Sequence, residues 1–365
     1  MKMLLDYFRK SDITLTASAI LLVGLGLLSI CSSSAGQADF LNFKKQIVFF
    51  VLGLALMIVV SLFDYRLLKN DPYMVFLFYV LCCLALFGLF FFAPAIRGVR
   101  SWYRIGPIHI DPIELTKIIL IILLAQYFSK RHVELYRIKH IIVSGLYVLL
   151  PGIMIFRQPN LGSVLILVSI WLIVLLVSGI RLKSFMILMI CGLFLIGISW
   201  QILLEGYQKE RISGFLFPQS EPLGIGWNYN QAKIAIGSGG LLGKGFNQGP
   251  QTQYGFLPEP QNDFIFSAIA EEFGLVGVAI LFGLFALLIW RIMKIAFLAQ
   301  TNFSRLFAAG FCALLVSQFF VNIGMNLGLA PIIGISLPFV SYGGSGLLSV
   351  FMGLGILQSI NRYYT

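Results

Sequence analysis

The sequence predicts an all-α, polytopic membrane protein with ten transmembrane helices, and three observations carry that expectation. The 365-residue chain is 59% hydrophobic and only 11% charged, whereas an average globular composition is about a quarter charged. Its apolar residues gather in runs of spanning length. Its cations fall in small groups between those runs. A net charge of +11 distributed in this way reads as membrane topology, with a share for anionic lipid, and not as a nucleic-acid footprint.

A helix needs about 20 apolar residues to cross a bilayer. Ten runs qualify, near residues 13–31, 45–63, 73–94, 113–128, 141–156, 162–180, 184–204, 264–290, 304–325 and 342–360. The fourth is short and carries Glu114 and Lys117, so hydropathy supports it least. The first follows a short basic N-terminus (Lys2, Arg9, Lys10) with no convincing cleavage site, which suits a retained signal anchor. With that terminus inside, the short loops on its side hold Arg66 and Lys69, then Lys130, Arg131, Arg137 and Lys139, then Arg181 and Lys183. Arg291, Lys294, Arg305 and Arg362 complete the set. Short loops are where the positive-inside rule acts, and ten helices bring the C-terminus to the cytoplasm as well.

The opposite face receives three stranger segments, at 95–112, at 205–262 between helices seven and eight, and at 326–341. Each mixes Gly, Pro, aromatics and isolated charges, and long loops of that kind tend to be functional. No internal repeat of the transporter type is visible, nor a separate soluble domain. Residues 1–365 therefore read as one transmembrane domain, with 205–262 as a long extracytoplasmic loop within it. Cys31, Cys82, Cys83, Cys191 and Cys312 all lie in or beside apolar runs without CxxC spacing, and His109, His132 and His140 are scattered. Neither a disulfide framework nor a zinc site follows from them.

The stretch Phe256–Gly274, FLPEPQNDFIFSAIAEEFG, is where chemistry concentrates. It delivers Asp263 to the mouth of the eighth apolar run and buries Glu271 and Glu272 inside it, roughly 12–14 Å deeper at about 1.5 Å per residue. Acids in hydrocarbon are costly and are usually functional or paired. Upstream, EPLGIGWNYNQAKIAIGSGGLLGKGF (Glu221–Phe246) is glycine-rich but fails the phosphate-loop spacing, with Ser238 and Gly245 at two required positions. With Arg211, Lys233 and Lys244 nearby it reads as a groove for an anionic or sugar-like ligand, or equally as a turn-rich cap with solvated charges.

Arg97, Arg100 and Arg104 alternate with Trp102 and Tyr103 at the same face, and Arg157 opens RQPNLGS there. Glu114 and Lys117 are three apart on one helix and can pair. In LPFVSYGGSG (Leu337–Gly346), Ser341 and its small neighbours suit tight packing or the lining of a polar cavity. Cations on phosphates and a carboxylate as general base would suit a lipid-anchored substrate with a polar head group. A proton-coupled transporter also uses intramembrane acids, so the residues alone leave both readings open.

Taken in order, YQKERI, QAKIAIGSGGLLGKGF and FLPE…DFIFSAIAEEFG, with RQPNLGS before them and LPFVSYGGS after, resemble the SEDS family (shape, elongation, division and sporulation). The likeness covers essentially the whole chain and is nearer the elongation branch than the division branch. It implies a ten-helix fold in the bacterial cell membrane, with an extracytoplasmic site that polymerises lipid II as a peptidoglycan glycosyltransferase. It implies a class B penicillin-binding protein as partner. Asp263 matches the family's catalytic aspartate, the general base for the GlcNAc 4-hydroxyl, with undecaprenyl pyrophosphate as leaving group. Glu114 and Lys117 match its charged pair. The family allows for a divalent cation, Mg or Mn, near the pyrophosphate, although no ligand set is visible in the sequence. Four motifs depart from the usual form: Gln261-Asn262-Asp263 for HTD, Asp111-Pro112-Ile113-Glu114 for QPSE, Gln158-Pro159-Asn160-Leu161-Gly162 for QPDLG, and Gly226-Trp227-Asn228 for GYH. A lipid II flippase remains the alternative. A base at the outer mouth favours polymerisation, because a transporter needs a polar path across the midplane.

Overall fold

The computed structural model describes residues 11–36, 38–93, 101–106, 108–131, 138–202, 206–217 and 224–363. In chain order the helices begin with α1 (Ile13–Gly36), α2 (Leu41–Leu62), the short α3 (Arg66–Asn70) and α4 (Pro72–Phe92). A two-stranded hairpin follows, β1 (Tyr103–Ile105) antiparallel to β2 (Ile108–Ile110). Then come α5 (Pro112–Ser129), α6 (Ile138–Phe156), α7 (Leu161–Val177) and α8 (Leu182–Ile202). The segment 205–262 supplies α9 (Gly206–Leu216), α10 (Ile225–Ser238) and α11 (Pro250–Gln253). The chain closes with α12 (Ile265–Leu298), α13 (Asn302–Leu327) and α14 (Gly344–Arg362).

Among the described residues, eight helices are long and apolar enough to cross a membrane: α1, α2, α4, α5, α6, α12, α13 and α14. Two further apolar stretches, Leu161–Val177 and Leu182–Gly192, are shorter and coincide with the sixth and seventh expected spans. Local chemistry sets several starts. Pro72 and Pro112 occupy the first turns of α4 and α5, where a missing N–H costs nothing. Asp71, Asp111, Asn160 and Thr301 accept from first-turn amides of α4, α5, α7 and α13. Gly328, left-handed at φ 71°, ends α13.

The order of burial explains why the fourth expected span is weakly apolar. Its helix, α5, has a mean hydropathy of 1.5 and 83% of that window buried, and α14 has 1.2 with 67% buried. The outward α4 has 2.7 with 33% buried. Interior helices meet protein on all sides and can carry Glu114, Lys117 and Gln126, whereas outer ones present Phe76, Leu77 and Leu84 to lipid. The aromatic ladder Tyr65, Phe303, Phe307 and Phe311 fills the centre. Gly53 of α2 admits the Phe351 ring of α14, the close approach that small residues permit.

Far from Asp263, a polar tie locks the bundle. The Arg291 guanidinium of α12 donates to both oxygens of Asp12, with Nη2–Oδ2 at 2.5 Å. Gln358 of α14 accepts from the Asp12 amide and donates to its carbonyl, at 2.8 and 2.9 Å.

The long segment 205–262 differs from its expectation as a turn-rich loop, because much of it is helical. On α10, Tyr229, Ala232 and Ala235 share one stripe and are buried with Leu257, Phe264, Ala268 and Met325 in a satellite core. The expected all-α class likewise gains the hairpin, which Tyr103 staples to α4 by donating to the Ala85 carbonyl at 2.6 Å.

Candidate active site

Asp263 sits two residues before α12, half-buried, on a segment whose backbone is clamped residue by residue. The Gln261 carbonyl accepts from the Tyr342 amide at 2.8 Å. The Asn262 carbonyl accepts from the Ser341 hydroxyl at 2.8 Å. The Asp263 carbonyl accepts from two side-chain amides of α13, Asn322 at 3.1 Å and Asn326 at 2.9 Å. Asn326 also accepts from the Ser267 hydroxyl at 2.6 Å, which ties the first turn of α12 to the same point. Gln261 reaches across to Asn42 and Ser34, joining α1 and α2 to the clamp.

This clamp fixes the Asp263 backbone and leaves its carboxylate available. Among the described residues that carboxylate accepts no hydrogen bond, and Gly334 lies beside it, so that a Cβ there would stand 3.6 Å from Oδ2. Burial pushes its pKa up to about 6, the nearby Glu259 carboxylate adds to the rise, and the Arg211 guanidinium opposes it. The result is a carboxylate that is ionised at neutral pH yet more basic than an ordinary aspartate.

The two deeper acids are occupied. Glu271 accepts from the Gln251 and Thr252 amides at 2.8 and 3.0 Å and from the Thr252 hydroxyl at 2.7 Å. Glu272 accepts from the Ser32 hydroxyl and from Gln253 Nε2. Both hold segment 205–262 onto the bundle.

The glycine run performs a related task. Gly274 interrupts α12 with φ 61° and ψ −158°, a conformation essentially restricted to glycine. The helix bonds lost at this break are replaced by the run Gly240–Gly245. Lys244 and Gly245 amides donate to the Glu271 and Glu272 carbonyls at 2.9 and 3.0 Å, and Leu275 and Val276 amides donate to the Gly240 and Leu241 carbonyls at 2.9 and 3.1 Å. Broken helices survive at membrane depth only where such groups find new partners. Of the two readings of this run, cap and ligand groove, the backbone contacts support the cap.

Glu114 and Lys117 meet at 2.6 Å, with Lys117 fully buried. Asp111, the cap of α5, donates its amide to Ser345 at 2.9 Å, and burial together with Glu114 raises its carboxyl to about 7. Glu114, Gln318, Ser336, Ser341 and Tyr342 line a cavity of about 20 Å³, room for about one water. Ser341 is thereby a wall residue, and its hydroxyl is already committed, donating to Asn262 and accepting from the Leu337 amide at 2.8 Å. Arg211 is the expected cation that lies within electrostatic reach of Asp263. Lys233 is exposed and packs its ε-carbon against Gly328. Lys244 and Arg157 are exposed. Arg97 and Arg100 lie outside the described residues. No three His, Cys, Asp or Glu side chains among the described residues come together as a metal-ligand group, so these residues alone do not form a full ligand set for Mg or Mn.

Sequence reasoning missed Asn322 and Asn326. Two amides four residues apart on an apolar helix are themselves a signal, since polar groups in a spanning segment need partners.

Fold and site together define a polytopic membrane protein that presents one available carboxylate at the mouth of its bundle, under a helical cap. The chain belongs to the FtsW/RodA/SpoVE family of cell cycle proteins, whose model matches residues 13–365. It is 36% identical over 358 residues to the peptidoglycan glycosyltransferase MrdB of Escherichia coli (strain K12), covering 98% of this chain and 95% of that one. Its fold is similar to a solved chain from work on the structural coordination of polymerization and crosslinking by a peptidoglycan synthase complex, at a TM-score of 0.83 and 29% identity. That match covers 97% of this chain and 98% of the other. It is also similar to the crystal structure of the rod shape determining protein RodA of Thermus thermophilus, at a TM-score of 0.72 and 28% identity, covering 96% and 97%.

Proposed function

We propose that this chain is a peptidoglycan glycosyltransferase that polymerises lipid II during cell elongation, with Asp263 as general base. The observation that carries this is the contrast among three neighbouring acids. Glu271 and Glu272 are hydrogen-bonded into the scaffold, whereas Asp263 is held by its backbone alone and raised to about 6. A base poised near the working pH is the most effective. Asp263 removes the proton from the GlcNAc 4-hydroxyl of the acceptor lipid II. That oxygen attacks the anomeric carbon of the growing chain with inversion, and undecaprenyl pyrophosphate departs with the electron pair of the broken bond. Arg211 and the outer cations Arg97, Arg100 and Arg157 supply positive charge for the pyrophosphate. A Mg or Mn ion would complete its ligands from the pyrophosphate oxygens, as hard cations commonly do.

The topology that fits this reading has ten spans, counting α7 and α8, with both termini cytoplasmic and Asp263 on the extracytoplasmic face. The grouping of cations at the opposite helix ends supports it. The similar solved chain from a polymerising and crosslinking complex supports a crosslinking partner, which we assign to a class B penicillin-binding protein. The occupation of Glu271 and Glu272 argues against a polar path across the midplane, and so against a flippase.

The test is glycan polymerisation from lipid II by the purified protein, with and without its penicillin-binding partner, comparing wild type with Asp263→Asn. The variant should make no polymer while melting like wild type or higher. Full polymerisation by the variant sinks the assignment, and lipid movement across vesicles by a wild type that makes no polymer favours the transporter.

A further inference from the structure

We propose a second binding site, for a phosphate-bearing anion, in the cavity between Lys69 and Lys130 at the opposite end of the bundle from Asp263. The placement follows from two helices. α5 runs from Glu114 near the Asp263 face to Ser129, and α13 runs back from Asn302 to Asn326. About 15 residues of helix separate the two ends of α5, or roughly 22 Å. The cavity therefore opens at the far membrane surface, at the depth of lipid head groups.

Its volume is about 320 Å³, and its lining includes Lys69, Asn70, Lys130, Gln300, Thr301 and Asn302 and, among the described residues, no carboxylate. Among the described residues neither lysine forms an ion pair, and the one side-chain bond of Lys130 is a long donation to the Asn70 carbonyl at 3.4 Å. Asp71, two residues beyond Lys69, is occupied in accepting from the Tyr73 and Met74 amides. The side-chain amides of Asn70, Gln300 and Asn302 make no hydrogen bond among the described residues.

Among the described residues, two ammonium groups without a counter-ion and three amides without a hydrogen bond thus face one polar space. Lysine binds phosphate as a point charge and amides add directed donors. A basic pocket between spanning helices at the membrane surface is the kind of place where an anionic phospholipid head group binds. Soluble phosphate shares that chemistry. The inference stands apart from the catalytic reading, because none of these residues contributes to the Asp263 clamp.

The test uses the full chain in detergent micelles and native mass spectrometry. The probes are phosphatidylglycerol, zwitterionic phosphatidylethanolamine, and inorganic phosphate as competitor. Wild type should retain phosphatidylglycerol in preference to phosphatidylethanolamine. Lys69→Gln with Lys130→Gln should weaken retention by roughly thirtyfold, about fivefold per lysine near an anionic site, and the paired arginine variants should restore it. A control pair on the same side, Lys139→Gln with Lys183→Gln, should retain the lipid as wild type does. Displacement by millimolar phosphate assigns the site to a soluble anion, and indifference to phosphate assigns it to lipid. The proposal is overturned if the Lys69/Lys130 variant binds as well as wild type, if the control pair loses as much, or if phosphatidylethanolamine binds as strongly.

Discussion

Replacing Gly274 by alanine tests the most unusual backbone in the molecule. At φ 61° and ψ −158° a side chain costs roughly 1–3 kcal/mol in strain. The added Cβ would also stand 2.7 Å from the Leu241 carbonyl oxygen and nearer still to the Gly243 amide. Neither atom belongs to a flexible side chain, so the glycine run must retreat. Four hydrogen bonds join that run to α12, each contributing about 0.5–1.5 kcal/mol net. Losing two of them brings the total to about 2–6 kcal/mol, a large share of the roughly 5–15 kcal/mol that stabilises a typical fold. The assay is a fluorescence-detected thermal melt of purified protein, with Gly283→Ala as control. Gly283 lies within α12 with nothing within 4 Å of its added Cβ, so alanine there should leave the melt unchanged or raise it, since glycine inside a helix costs about 1 kcal/mol. Gly274→Ala should melt several degrees lower. A Gly274→Ala melt within error of Gly283→Ala would refute the splice as a source of stability.

Three further outcomes are expected. Polymerisation should rise with pH through about 6 as Asp263 ionises, and Arg211→Gln should move that limb upward while Glu259→Gln moves it downward, measured as pH–rate profiles. Because the folded state holds the Asp263 proton more tightly than the unfolded chain, this group destabilises the fold above pH 6 and is relieved as pH falls through 6. Asp263→Asn should therefore melt no lower than wild type at pH 7. Asn326→Leu removes one of two donors to the Asp263 carbonyl and the partner of Ser267, and should lower kcat about tenfold or more with little change in KM. Glu114→Ala strands the buried Lys117, and Lys117→Ala strands Glu114, each costing about 3–5 kcal/mol. The double variant should cost clearly less than the two singles added, in melts or expression level.

The spans were legible because hydrocarbon imposes a long, simple pattern, and α4 or α12 could hardly be read otherwise. α5 was the hardest to see for a physical reason: a helix enclosed by other helices needs no lipid-facing apolarity, and so Glu114 and Lys117 dilute its signal. Asp263 stood out as an acid at a helix mouth. The clamp around it did not, because its parts come from residues 34, 42, 322, 326, 341 and 342 and meet only in three dimensions. In the sequence α10 looks like loop because its buried stripe is two alanines and a tyrosine, too small to announce a core. The motif departures fall largely on scaffold positions. Asn160 still caps α7 through the Ser163 amide at 3.1 Å, and Gln261 joins two helices where the family usually has histidine.

Surface loops ordinarily absorb insertions and deletions, since their ends are fixed and their middles are not. The run Gly240–Gly245 is different. One ladder pairs residues 240 and 241 with 275 and 276, and the other pairs 244 and 245 with 271 and 272. Only Leu242 and Gly243 lie between the two ladders, and Gly243, at φ 83°, packs so closely on the Glu272 carbonyl that a Cβ has no room. A single residue gained or lost there would throw one ladder out of step with the other. This loop is as intolerant of a change in length as the interior of a transmembrane helix.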